Sequence, residues 1–90
     1  MSLRVAATGE FKRDRKRAGK RGKDLTKLDT ILRQLANQAV LDAKHRDHKL
    51  LGDYRDHREY HIEPDWLLIY RVSEAEIVFV RTGTHSDLFE

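Results

Sequence analysis

Apolar positions change their spacing about halfway along the chain, and this divides it into a helical half and a strand half. Leu3, Val5 and Ala7 alternate with other residues, which predicts a short first strand. Thr8 suits a helix cap. Phe11, Arg15 and Ala18 then fall on one face of a helix whose remaining surface is Lys12, Arg13, Lys16, Arg17 and Lys20. Gly19 and Gly22 bracket the end of this helix and permit a turn into another. Asp24 is a good cap for that second helix, in which Leu25, Leu28, Ile31, Leu32, Leu35 and Ala39 recur every three or four residues. This is the clearest periodic signal in the chain. It predicts a helix lying on a sheet or on another helix.

From residue 48 the pattern breaks into short runs separated by turn residues. Leu50-Leu51 precedes Gly52-Asp53. Arg58, Tyr60 and Ile62 alternate up to Glu63-Pro64-Asp65, a turn signal. The run from 66 to 72 is largely apolar and rich in β-favouring types, as a strand buried on both faces would be. Residues 73–76 read as a hairpin loop and residues 77–82 as the next strand. Gly83 ends that strand, and residues 85–90 form a tail or a single helical turn. The order β-α-α-β-β-β-β predicts an α+β fold, with a helix hairpin on one face of a small, mostly antiparallel sheet. At 90 residues, the whole of 1–90 is expected to be one domain.

Charge sharpens this picture. Residues 1–28 hold ten Lys/Arg against three Asp/Glu, whereas residues 29–90 hold eight against twelve and all five histidines. The basic N-terminal segment suits a phosphate backbone or an acidic partner. Cysteine is absent, which rules out disulfides and thiolate zinc sites. No apolar run approaches the roughly 20 residues of a membrane span, and no signal segment is evident. The expected location is the cytoplasm, with no membrane partner.

The histidines carry the candidate chemistry. Histidine moves protons near neutral pH, and His48, His61 and His85 sit at the ends of three different predicted strands. Strands about 4.8 Å apart can bring such side chains together. Asp65 follows the turn after His61 and can orient a histidine or act as an acid. Trp66 and Phe89 offer flat faces for base stacking, although Trp66 also suits the core and Phe89 a clamp on the tail. Arg58 and Arg81 can hold a phosphate in its transition state. His45 and His57 lie in polar stretches and read as solvated. His48, His61 and Asp65 match no familiar zinc spacing, so neither a metal nor another cofactor is expected. Phosphate loops and nucleophile elbows are missing too. Histidines, a carboxylate, arginines and aromatics suit RNA cleavage by the RNA's own 2′-hydroxyl.

Three pieces of sequence together resemble a known family. They are Asp47-His48-Lys49-Leu50-x-Gly52, Arg58-x-x-His61-Ile62-Glu63-Pro64-Asp65-Trp66-Leu67-Leu68-Ile69-Tyr70, and Arg81-Thr82-Gly83-Thr84-His85-x-x-Leu88-Phe89. They look like the YafQ-like branch of the RelE/ParE toxin superfamily, and the similarity extends through the basic hairpin, including Lys20-Arg21-x-Lys23-Asp24. The resemblance implies a RelE-like fold and a bacterial type II toxin that enters the ribosomal A site, cuts mRNA and is blocked by a cognate antitoxin. Carried over by position, the family's active residues fall on His48, His61, Asp65, Trp66, His85 and Phe89. The basic surface formed by Lys12, Arg13, Lys16, Arg17, Lys20, Arg21 and Lys23 would then contact ribosomal RNA. Where the family often has proline, this chain has Lys49. A ParE-like toxin acting on gyrase and a non-catalytic RNA-binding module are the alternatives on the same fold.

Overall fold

The computed structural model describes residues 3–37, 48–49 and 57–89, and of 48–49 the backbone alone. The chain opens with β1 (Arg4–Ala7), which leads into Thr8. The Thr8 hydroxyl accepts from the Phe11 N–H at 2.9 Å and donates to the Val80 carbonyl at 2.7 Å. One side chain therefore starts α1 (Gly9–Lys20) and fastens it to the sheet.

The buried stripe of α1 is Phe11, Asp14 and Ala18, so Asp14 stands where Arg15 was expected. Both spacings fit one helix face, and the ion pairs decide between them. The Asp14 carboxylate accepts from Arg81 Nε at 2.6 Å, Arg17 Nη2 at 3.1 Å and the Thr82 N–H at 3.2 Å. A carboxylate supplied with that many donors can be buried. Arg15 turns instead to α2 (Leu25–Ala36) and grips Asp29 at 2.7 and 3.0 Å.

Gly22 makes the turn between the helices at φ +86°, a conformation that costs a side-chain-bearing residue but not glycine. Asp24 then caps α2, accepting from the N–H groups of Thr26 and Lys27 at 2.9 and 3.3 Å. Leu28, Ile31, Leu35 and Ala36 are buried, with Leu25 and Leu32 at their margin. Ala39 and the segment around Gly52 lie outside the described residues.

The sheet runs β1-β5-β4-β3-β2, from β2 (His48–Lys49), β3 (Arg58–Glu63), β4 (Trp66–Val72) and β5 (Glu76–Gly83). Among the described strands only β1 pairs in parallel, with β5; the other neighbours are antiparallel. Burial follows the two-residue period. Tyr60, Ile62, Leu68, Tyr70, Ile77 and Phe79 form one core with α1 and α2. Leu67 and Ile69 of β4 belong to a second, smaller core, completed by Val80 and by Leu88 of α3 (His85–Phe89). Strand β4 is therefore covered on both faces, as its apolar run predicts. Each fully buried aliphatic side chain contributes about 1.5–3 kcal/mol. The β3–β4 register shifts between His61 and Glu63, where an extra residue on β3 bends the strand. Among the described residues no helix is long and apolar enough to cross a membrane.

Candidate active site

Two chain turns at one end of the sheet bring the site together. The first, Pro64-Asp65, joins β3 to β4. The second, at Thr84, joins β5 to α3. Asp65 Oδ1 accepts from the His85 backbone N–H at 2.9 Å and lies 2.6 Å from His85 Nδ1. The backbone N–H and then the ring hold the Asp65 carboxyl below the usual carboxylate range. An ionised carboxylate only accepts, so His85 Nδ1 carries the proton and Nε2 is the nitrogen left for chemistry. The His85 side chain is 53% exposed, so a large substrate can reach it. Phe89 lies one helical turn further on the same face, 46% exposed, with its ring centroid 6.4 Å from that of His85.

His61 completes the described group from β3. Its ring centroid is 6.0 Å from that of His85, and its Nε2 is 3.2 Å from Glu59 Oε1. Glu59 and His61 are two residues apart, so they share the sheet face that carries Leu67, Ile69 and Leu88. Glu59 is 6% exposed, and burying a carboxylate is costly unless a partner such as an imidazole compensates it. Sequence reasoning passed over Glu59, although the strand alternation that locates His61 also locates it. The backbone of His48 stands opposite Glu59 in the β2–β3 register. Its side chain lies outside the described residues.

Several expected residues do other work. Trp66 is 1% exposed, and its indole N–H donates to Thr82 Oγ1 at 3.0 Å inside the helix-side core. It has no open face for a base. The Arg81 guanidinium reaches α1 and binds Asp14. A second carboxylate, that of Glu10, is 3.6 Å away. Arg81 is therefore a structural ion pair joining β5 to α1. Arg58 pairs across the sheet with Tyr70 and alternates with Tyr60 and Ile62, so it lies on the helix-covered face, opposite to His61.

The basic surface divides in the same way. Lys12, Arg13, Lys16 and Lys20 are exposed and form no ion pair with another described residue. Arg17 is tied to Asp14 and Arg21 to Asp87. Lys23 binds Glu63 at 3.2 Å, with its ammonium 5.5 Å from the Trp66 ring centroid. Nothing in the linear pattern singles out the long-range pairs, because Lys23 and Glu63 are 40 residues apart and Asp14 and Arg81 are 67 apart.

Residues 3–90 match the family model described as a bacterial toxin of type II toxin–antitoxin systems, YafQ. The mRNA interferase toxin YafQ of Escherichia coli K12 is 42% identical over 86 residues, covering 94% of each chain. The crystal structure of YafQ from E. coli BL21(DE3) superposes with a TM-score of 0.93 at 38% identity, covering 98% of this chain and 99% of that one. YafQ in the E. coli DinJ–YafQ toxin–antitoxin complex gives 0.91 at 38% identity, with both chains covered in full. With the fold shared and the match running along nearly the whole chain, this chain belongs to the YafQ family of bacterial type II toxins.

Proposed function

We propose that this protein is an mRNA interferase, an endoribonuclease that cuts mRNA on the ribosome and is silenced by a cognate antitoxin. The mRNA interferase name of its relatives supports the cutting of mRNA, and the DinJ–YafQ complex supports the antitoxin. The observation that carries the catalytic reading is the Asp65–His85 pair, set beside His61 and Phe89 at an open end of the sheet.

The reaction needs one proton removed and one delivered. The 2′-hydroxyl attacks the neighbouring phosphorus and loses its proton to a base, while the P–O5′ bond breaks and O5′ takes a proton from an acid. His85 acts as the acid through Nε2. Asp65 holds the ring by Nδ1 and offsets the charge of the imidazolium, as a carboxylate does beside a catalytic histidine. His61, backed by Glu59, and His48 serve as base or as phosphate ligands. Phe89 stacks on a base, worth about 1–3 kcal/mol. Lys12, Arg13, Lys16 and Lys20 contact ribosomal RNA.

The test is expression of the wild type and of His85→Gln, with primer extension on ribosome-bound mRNA. The wild type should leave cut ends and arrest growth. His85→Gln should leave mRNA intact and still copurify with the antitoxin. Undiminished toxicity of His85→Gln, or arrest with intact mRNA and inhibited gyrase, overturns the reading.

A further inference from the structure

The helix that carries His85 and Phe89 is only five residues long. So short a helix does not set its own orientation in water, and contacts with the rest of the protein must do so. Among the described residues, contacts at three points do this. Asp65 holds the His85 end, and Leu88 packs on Leu67 and Ile69. The third is Asp87, which faces away from the catalytic group into the end of α1.

Asp87 is held on both carboxylate oxygens. Its Oδ2 accepts from the Thr84 N–H at 3.0 Å and from Arg21 Nη1 at 2.6 Å. Its Oδ1 accepts from Arg21 Nη2 at 3.3 Å, and its own N–H donates to Thr84 Oγ1 at 3.1 Å. The Thr84–Asp87 exchange closes the start of α3 as a capping box does. Arg21 is itself fixed, since its backbone N–H closes α1 on the Arg17 carbonyl at 3.0 Å. Gly83 lets the end of β5 approach α3, because a Cβ there would lie 2.9 Å from Asp87 Cβ and Oδ2.

We infer that Asp87 and Arg21 are positioning residues for the reaction, clamping α3 to α1 so that His85 and Phe89 meet the scissile phosphate in one fixed geometry. This rests on the reading that His85 transfers a proton in RNA cleavage. It also moves Arg21 from the RNA-binding surface to the catalytic machinery. Displacing a catalytic group by about 1 Å can cost on the order of 100-fold in rate.

Single-turnover cleavage of mRNA on programmed ribosomes tests the clamp, using the full chain with Asp87→Asn, Arg21→Gln, Arg21→Lys and the double variant Asp87→Asn/Arg21→Gln. Asparagine keeps an acceptor for the Thr84 N–H, so Asp87→Asn weakens the clamp and spares the cap. Arg21 is exposed, so its variants report even if Asp87→Asn folds poorly. The maximal rate should fall about 10- to 100-fold for Asp87→Asn and Arg21→Gln. The half-saturating ribosome concentration should stay within about twofold, and Arg21→Lys should recover part of the rate. The double variant should be no slower than the slower single one, as expected of residues acting through one contact. Maximal rates within twofold of wild type, or multiplicative losses in the double variant, overturn the inference. So does an Arg21→Gln variant altered only in ribosome affinity. A wild-type chain that leaves programmed mRNA uncut overturns the functional reading itself, and this inference with it.

Discussion

Replacing Trp66 by phenylalanine separates a core tryptophan from a base-stacking one. Phenylalanine keeps a flat ring but loses the indole N–H and some volume. The lost bond is the one to Thr82 Oγ1 at 3.0 Å, worth about 0.5–1.5 kcal/mol net. Thr82 still donates to the Leu67 carbonyl at 2.7 Å, so its hydroxyl is not orphaned and the lower half of that range applies. The smaller ring leaves a void of roughly 30–40 Å³, which at about 24 cal/mol per Å³ costs about 1 kcal/mol. The sum is about 1.5–2 kcal/mol, and a domain of this size loses about 4–8 °C of Tm per kcal/mol. Calorimetry should therefore find Tm lowered by about 6–16 °C, with cleavage per folded molecule unchanged well below the new Tm. Trp66 is also the one tryptophan in the chain. Its emission should be blue-shifted, resist quenching by iodide and ignore added RNA. A Trp66→Phe variant with an essentially wild-type Tm but cleavage slowed about tenfold would refute the core assignment.

Three further outcomes are expected. Glu59→Gln should lower the maximal cleavage rate about tenfold or more, because an amide holds the His61 imidazole less firmly than a carboxylate does; wild-type rates would remove Glu59 from the site. Acid should loosen the α1–α3 contact. Arg21 holds the Asp87 carboxyl far below the usual carboxylate range, so the stabilisation is complete above about pH 5 and is lost as pH falls below about 4. Asp87→Asn should flatten that limb of the stability–pH curve, and an unchanged limb would contradict the pairing. Converting Lys12, Arg13, Lys16 and Lys20 to glutamine should weaken ribosome binding and reduce its salt slope, each phosphate contact contributing about 0.7–0.9 to that slope; an unaltered slope would place the RNA contact elsewhere.

What the amino-acid sequence determines by itself here is whatever depends on neighbours in the chain. The Thr8 and Asp24 caps, the Leu28–Leu35 stripe, the Glu63-Pro64-Asp65 turn and the doubly buried β4 run all follow from spacings of two to four residues. The order of elements follows from those in turn. The family motifs name the histidines, but they do not say what each neighbour does. That was decided by contacts between residues far apart in sequence. Trp66 and Asp65 are adjacent, yet one enters the core to meet Thr82 while the other stays in solvent to meet His85. Asp14 rather than Arg15 is buried because Arg81, 67 residues later, arrives to balance it. Arg17 and Arg21 look like their lysine neighbours in a basic segment, but the fold brings the Asp87 carboxylate to both of them. A side chain's charge is written in the sequence. Whether that charge is satisfied inside the protein or left for a partner depends on which groups the fold brings within about 4 Å, and only the tertiary structure sets that distance.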